Sequence, residues 1–124
     1  MIPQDILYSK EHTWIRVDGN IGTIGITDFA QSQLDEIVYP DLPNVGISFK
    51  QDTVFGSVEA LKTVSDLFIP VSGKVIEVNK SLINDPILIN KDPYNAGWMI
   101  KIEITDTTEI NKLLSAAEYG KLIG

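Results

Sequence analysis

Two β-prone runs separated by only two residues constrain this chain more than any other feature. Val54–Ala60 and Thr63–Ile69 are rich in β-branched and aromatic side chains, and only Leu61 and Lys62 stand between them. The pair lacks the Asn-Gly, Asp-Gly or Pro of a usual tight turn. A reversal here places one lysine at the tip of two strands, where a long flexible amine can accept an attached group. A single longer strand with Lys62 on its solvent face explains these residues equally well, and this stretch alone does not separate the two.

The rest of the chain alternates apolar and polar residues between turn signals, as short half-buried strands do. Asp18–Asn20 predicts a three-residue hairpin loop, and Leu82–Ile89 is expected to hold one helical turn and a short edge strand. With the two runs above, the total is seven to nine strands. The other predicted strands are Trp14–Val17, Ile21–Ile26, Ile37–Tyr39, Gly46–Phe49, Lys74–Val78 and Trp98–Ile104.

Capping signals predict a few short helices beside these strands. The D-x-x-Q pattern at Asp28 predicts a helix to about Asp35, Asp106-x-x-Glu109 predicts one to about Leu114, and Ser115-x-x-Glu118 predicts another after it. Helices this short cover a sheet rather than form a bundle. We therefore expect one mainly β domain over residues 1–124, a sandwich or barrel with small helical additions.

The composition excludes several classes of function. Acidic residues outnumber basic ones 17 to 10, for a formal net charge of −7, and the basic residues are scattered singly, which argues against a nucleic-acid partner. Cysteine is absent, so disulfides, thiolate nucleophiles and thiolate metal sites are excluded. No apolar run approaches the length of a membrane span, and the start has no basic or Arg-rich leader. The expected compartment is the cytoplasm, with no membrane partner.

No catalytic constellation is recognisable in the sequence. His12 is the only histidine; beside Glu11 and Trp14 we expect it to be packed or hydrogen-bonded. No serine lies in a G-x-S-x-G context, and no glycine-rich phosphate loop is present. The chain is therefore expected not to be an enzyme and to have no metal site.

Lys62 alone among nine lysines lies in a V-E-A-L-K-T setting between runs that can pair as strands. Here the sequence resembles lipoyl and biotinyl carrier domains, which display one lysine at a tight β-turn for a ligase to acylate. The sharper resemblance is to the H proteins of the glycine cleavage system, and it covers nearly all 124 residues. Seven segments carry it in order: YSKEHTW at Tyr8–Trp14, GITDFAQ at Gly25–Gln31, LPxxG at Leu42–Gly46, SVEALK at Ser57–Lys62, PVSG at Pro70–Gly73, EVN at Glu77–Asn79, and NKDPY with GW within Asn90–Trp98.

The resemblance implies a flattened barrel-sandwich hybrid that carries lipoate as an amide on Lys62. It also implies four partners: a pyridoxal-phosphate glycine decarboxylase, a folate-dependent aminomethyltransferase, a flavin-dependent dihydrolipoyl dehydrogenase, and a lipoate ligase or transferase. Glu59, Leu61 and Ser57 are expected to help the modifying enzyme recognise the turn. The alternative for each of these three residues is an ordinary structural role in a strand or turn.

Two departures from the family pattern leave alternatives open. Asp35 stands where the family usually has glycine, and Ala60-Leu61 replaces the commoner Ser-Val or Ala-Val. Both are compatible with an H-like paralogue that relays lipoyl groups, or serves a dedicated modifying enzyme, instead of supporting glycine breakdown. A further alternative is an unmodified β-domain that acts as an interaction module. Biotin carriers are a poorer match because they usually have methionine on both sides of the lysine, where this chain has Leu61 and Thr63.

Overall fold

The computed structural model describes residues 2–124. Nine strands and four short α-helices are described, with one 3₁₀-helix at Thr107–Lys112. The strands are β1 (Leu7–Tyr8), β2 (Thr13–Asp18), β3 (Ile21–Ile26), β4 (Ile37–Asp41), β5 (Ser48–Phe49), β6 (Val54–Ala60), β7 (Val64–Phe68), β8 (Gly73–Val78) and β9 (Ile100–Ile104). The helices are α1 (Asp28–Ser32), α2 (Ser81–Asn84), α3 (Leu88–Lys91) and α4 (Ala116–Ile123).

The strands form two antiparallel sheets that enclose one apolar core. The larger sheet has the order β1-β2-β3-β9-β8-β5, and the smaller one has the order β4-β6-β7. Inward-facing side chains of both sheets belong to one buried cluster, which includes Ile24, Ile100 and Ile102 from the larger sheet and Val58 and Leu67 from the smaller. The predicted mainly β fold is confirmed, and the core holds the small sheet against the large one.

The hairpin interpretation of Val54–Ile69 is confirmed, and the single longer strand is wrong. β6 and β7 pair antiparallel with Glu59 opposite Val64, so the chain reverses over the residues between them. β4 pairs with the other edge of β6. The strand that leads to Lys62 is therefore the central strand of the small sheet.

Several predicted boundaries differ from the structure. The loop between β2 and β3 has two residues rather than three, because Asp18 pairs with Ile21. The first helix ends at Ser32 rather than near Asp35, and its N-cap is Thr27, whose side chain accepts from the Ala30 N–H. The region 82–89 holds no strand. Instead α2 and α3 each make one turn, so this region has two helical turns where one turn and an edge strand were predicted. The helix predicted from Asp106 is 3₁₀.

A second, smaller cluster fixes the C-terminal helix to the larger sheet. Tyr8, Trp14, Ala116 and Tyr119 are buried there together with Ile6. The helix begins with the predicted capping box, in which the Ser115 side chain and Glu118 satisfy each other's backbone N–H groups. Within the described residues, no helix is long and apolar enough to cross a membrane.

Candidate functional site

The position of the turn that carries Lys62 is set by the pairing of the neighbouring strands rather than by the residues of the turn itself. The Ala60 N–H donates to the Thr63 carbonyl at 2.8 Å, which leaves Leu61 and Lys62 as the loop. Neither loop residue has a positive φ, so the turn belongs to neither of the primed types that two-residue hairpins favour. The β4 and β7 ladders on the two sides of β6 therefore set the register here.

The residues just before the turn support it on the core side. Val58 and Ala60 are buried, at 1% and 8% exposure, while Glu59 between them faces solvent. This alternation is what a strand with one buried face requires. Since β6 also has a hydrogen-bonded strand on each side, the platform beneath Lys62 is rigid up to the last residue before the turn.

The side chain of Lys62 is exposed and has no anionic partner among residues 2–124. The one ion pair in this part of the chain joins Lys101 to Glu77 at 3.7 Å, on the larger sheet. An amine that is solvent-accessible and free of a carboxylate keeps its lone pair available once it is deprotonated. Lys62 therefore has the geometry of an acceptor for an acyl group.

The three residues predicted to assist recognition of the turn do not lie together. Leu61 is 66% exposed at the tip, and Glu59 is exposed on the outer face of the sheet. Ser57 is half-buried in the next row of that face, opposite Asp66 on β7 and Asp41 on β4. Glu59 and Leu61 can therefore meet a partner that approaches Lys62, whereas Ser57 lies further down the strand.

Two exposed residues next to the turn were missed by the sequence reasoning. Tyr39 on β4 and Val64 on β7 lie directly across the ladder from Glu59, one on each side, and are 52% and 64% exposed. A β-bulge at Val38 interrupts the register just before Tyr39. Their nearness to Lys62 depends on strand pairing, for which the sequence offers no local signal.

A cavity of about 220 Å³ opens along the free edge of β7. Ser65, Asp66 and Leu67 form one wall, and α1 with the residues just before β2 forms the other. The opposite wall combines apolar side chains, among them Phe29 and Leu34, with the polar side chains of Glu11, His12 and Gln33. Ser65 is only three residues from Lys62, about 10 Å along a strand.

His12 is held in place rather than free to act on a substrate. Its Nδ1 lies 2.8 Å from the Tyr119 hydroxyl, and its ring contacts Phe29 with centroids 5.0 Å apart. Burial lowers the pKa of His12 below its usual range, and the neighbouring Glu11 opposes this effect. This agrees with the expected packed, hydrogen-bonded histidine. Across residues 2–124, no group of three or more His, Asp and Glu side chains could hold a metal ion.

Comparisons with known proteins agree over nearly the whole chain. The family model described as "Glycine cleavage H-protein" matches residues 6–124. A glycine cleavage system H protein of Carboxydothermus hydrogenoformans is 54% identical over 123 residues, which cover 99% of this chain and 95% of that protein. One of Symbiobacterium thermophilum is 56% identical over 118 residues, 95% of this chain and 92% of that protein. The crystal structure of a glycine cleavage system H protein from Mycobacterium marinum superposes with a TM-score of 0.91 at 38% identity, covering 99% of both chains.

Proposed function

The chain belongs to the glycine cleavage H-protein family, and we propose that it carries its lipoyl group as an amide on Lys62. Its role is that of the lipoate-bearing shuttle of the glycine cleavage system, with residues 1–124 as one carrier domain. The observation that carries the choice of residue is the position of Lys62. It is exposed, has no ion pair within residues 2–124, and lies at the tip of the hairpin formed by β6 and β7 in the small sheet.

Attachment requires one acyl transfer to the lysine side chain. The ammonium form of Lys62 has no lone pair, so it first loses a proton to a base of the modifying enzyme. Nζ then attacks the carboxyl carbon of an activated lipoyl group, an acyl adenylate or a thioester. The C–N bond forms, the bond to the nucleotide or thiol breaks, and that group departs. The nitrogen gives up its second proton to the departing group or to a base of the modifying enzyme. The chain itself contributes the nucleophile and its rigid placement.

When attached, a lipoyl group supplies a dithiolane on a long tether, which raises the effective concentration of the carried group at each partner. Family membership implies which partners these are. A pyridoxal-phosphate glycine decarboxylase hands over the aminomethyl group, a folate-dependent aminomethyltransferase takes it, and a flavin-dependent dihydrolipoyl dehydrogenase reoxidises the dithiol. We place these encounters in the cytoplasm and assign no reaction to the chain itself.

The cavity beside β7 suits the cargo of such an arm. Phe29, Leu34 and Leu67 offer apolar surface to a dithiolane and its hydrocarbon chain. Glu11 and Asp66 are the two carboxylates of the lining, and a carboxylate is a strong partner for a cationic amine. Because β7 starts next to Lys62 and runs along this cavity, the strand itself leads from the attachment point to the cavity.

Mass spectrometry of the intact protein and of its peptides tests the attachment site. After expression with lipoate, the protein should gain one lipoyl adduct on the peptide that contains Lys62, and Lys62→Arg should abolish it. Lys74→Arg, at another exposed lysine, is the matched control and should keep the adduct. Loss of one ammonium charge should also move the formal net charge from −7 to −8, which isoelectric focusing detects. A lipoyl adduct that persists in Lys62→Arg would falsify the assignment.

A glycine–bicarbonate exchange assay with the decarboxylase tests the role in glycine breakdown. The lipoylated protein should support the exchange, and the Lys62→Arg protein should not. Lipoylated protein that fails to support exchange would favour the relay of lipoyl groups instead.

A further inference from the structure

We propose that the outer face of the small sheet next to Lys62 is the docking surface for the enzyme that acylates this lysine, with Tyr39 as its apolar anchor. This Tyr39 face consists of Tyr39, Asp41, Glu59, Val64 and Asp66. The inference rests on the proposed lipoylation of Lys62 and adds the surface through which the modifying enzyme binds.

Strand register places these residues in two rows across the sheet. Tyr39, Glu59 and Val64 form the row closest to the turn, and Asp41, Ser57 and Asp66 form the next row, with Ser57 half-buried between the two carboxylates. The row between them has the opposite orientation and contains Pro40, Val58 and Ser65. Two apolar side chains, Tyr39 and Val64, thus lie exposed on the two sides of Glu59, next to the lysine turn.

The bulge in β4 supports a specific role for Tyr39. Ile37 is buried opposite Ala60, and Tyr39 is exposed opposite Glu59, with Val38 inserted between them. Bulges of this kind re-aim side chains and are frequent beside functional sites. Tyrosine is also one of the residues that contribute most to binding when a partner covers them. An exposed tyrosine in this position is therefore well suited to anchor a partner.

Reach decides which partner covers this face. A ligase reacts at Nζ itself, so its active site must come down onto the turn and the residues around it. A stable contact buries about 800 Å² on each partner, a patch of roughly 16 Å radius. Tyr39 lies one strand spacing of about 5 Å from Glu59, which is three residues, or about 10 Å, from Lys62, so it falls inside that patch. Enzymes that act on the dithiolane react at the far end of a long arm and need not cover β4.

Charge defines the chemistry of the matching surface. Asp41, Glu59 and Asp66 lie on three adjacent strands, and none of them takes part in an ion pair within residues 2–124. A basic surface on the ligase would be complementary to this face and would speed the encounter at low salt. The occupant is therefore an acyl-transferring enzyme that presents arginine or lysine opposite Glu59 and an apolar contact for Tyr39.

The test measures kcat/KM for lipoylation by purified lipoate–protein ligase with lipoate and ATP. Tyr39→Ala should lower kcat/KM at least 10-fold, chiefly through KM, and Tyr39→Phe should restore it to within about 3-fold of the unsubstituted protein. Glu59→Gln should weaken the dependence of kcat/KM on salt. The matched control is Leu122→Ala on α4, which removes a comparable apolar side chain that is 49% exposed. It should change kcat/KM less than 2-fold.

A second measurement isolates the ligase from the other partners. Each variant is lipoylated to completion with excess ligase and checked by intact mass. Its dithiolane is then reduced to the dithiol with a phosphine, and the rate of its reoxidation by dihydrolipoyl dehydrogenase is measured with NAD⁺ as the electron acceptor. The reoxidation rate of Tyr39→Ala should stay within 2-fold of that of the unsubstituted protein.

Two outcomes would overturn the docking proposal. One is an equal loss of lipoylation rate and reoxidation rate in Tyr39→Ala, and the other is a Tyr39→Ala protein that is lipoylated as fast as Leu122→Ala. Absence of any adduct on the unsubstituted protein would instead overturn the proposed function. Thermal unfolding of each variant identifies losses caused by misfolding, and Tyr39→Phe keeps the proposal testable if Tyr39→Ala fails to fold.

Discussion

The imidazole Nδ1 of His12 and the hydroxyl of Tyr119 lie 2.8 Å apart, although 107 residues separate them in the chain. The same hydroxyl is 2.8 Å from the Oγ1 of Thr27, which already accepts from the Ala30 N–H as the cap of α1. One tyrosine on α4 thus joins the start of the chain to the helix that lines the cavity beside β7. Tyr8 stacks on the Tyr119 ring at 4.7 Å and fixes its orientation.

When His12 is neutral, Thr27, Tyr119 and His12 can form two consecutive hydrogen bonds in which each donated proton has an acceptor. The Thr27 hydroxyl donates to Tyr119, and Tyr119 donates to an unprotonated Nδ1, so every group is satisfied. When His12 is charged, Nδ1–H must donate to Tyr119, and Tyr119 must donate to Thr27. The proton of Thr27, which is fully buried, then loses this acceptor. Protonation of His12 therefore opposes the folded arrangement.

Tyr119→Phe should destabilise the protein by about 1–3 kcal/mol, because it leaves His12 and the buried Thr27 hydroxyl without their shared partner. The ring stack on Tyr8 is kept, so the change tests the hydroxyl alone. Urea unfolding followed by Trp fluorescence measures the effect. Tyr94→Phe, which removes a hydroxyl that accepts from the exposed Asp28 N–H, should cost less. Equal losses for the two variants would contradict the importance of the buried network.

The stability of the protein should fall as the pH drops below about 6.5, the ordinary pKa of histidine. Burial lowers the pKa of His12 in the folded state, so the unfolded chain takes up its proton first, and acid favours unfolding. The contribution is fully present above the unfolded pKa and is lost as the pH approaches the lower folded value. Glu11 opposes the shift, and Asp66 lines the same cavity.

Urea unfolding between pH 5.5 and 7.5 measures this dependence, in a window above the titration of ordinary carboxyl groups. Asn adopts the left-handed backbone of His12, whose φ is +67°, and does not titrate. His12→Asn should therefore flatten the pH dependence while lowering stability overall. An unchanged slope in His12→Asn would assign the pH dependence to other groups.

The strands could be predicted from the sequence because their apolar and polar residues alternate, as in a strand with one buried and one solvent-exposed face. Lys74–Val78 and Ile100–Ile104, for example, lie within predicted segments. The short helices were less predictable, since a single turn contains too few residues to show a helical period. His12, Asp35 and Asp52 have a left-handed backbone, which the residue types at these positions do not reliably predict.

For the site, the assignment of Lys62 stays a prediction that rests on its own sequence neighbours, whereas the residues around it in space could not be predicted. Lys62 could be singled out because the two β-prone runs that flank it are adjacent to it in the sequence. Tyr39 comes next to Glu59 only because β4 pairs with β6, although residues 42–53, which include β5, separate the two strands in the chain. Sequence patterns indicate which face of a strand is buried, but they do not indicate which strands are neighbours.

Asp35→Val should destabilise the protein by about 1–2 kcal/mol, because a β-branched residue is strongly disfavoured at the φ of +64° found there. Relaxation is hindered, since Asn90 donates to the Asp35 carbonyl at 2.7 Å and accepts from the Ile37 N–H at 2.9 Å. Glycine adopts this backbone freely, which agrees with the glycine that the resemblance to H proteins implies at this position. Asp35→Gly should stay within about 1 kcal/mol of the unsubstituted protein. Glu36→Val, at the exposed neighbour, is the matched control in urea unfolding, and a loss as large as that of Asp35→Val would refute the backbone argument.

A pair of Gly→Ala substitutions should shift stability in opposite directions. A Cβ on Gly56 would collide with the carbonyl oxygen of Asp41 on the neighbouring strand, and a backbone atom cannot swing aside as a side chain can. Gly56→Ala should therefore force β4 and β6 apart and lower the free energy of unfolding by about 1–3 kcal/mol.

Gly120 lies within α4, where an added Cβ meets only the end of the Ile2 side chain at 3.4 Å. Gly120→Ala should add up to about 1 kcal/mol, because alanine is the better helix former. Urea unfolding compares both variants, and the lipoylation rate provides a second measurement. Since β4 carries Tyr39, Gly56→Ala should also slow lipoylation, whereas Gly120→Ala should not. A Gly56→Ala protein as stable as the Gly120→Ala protein would show that β4 and β6 do not need to approach this closely.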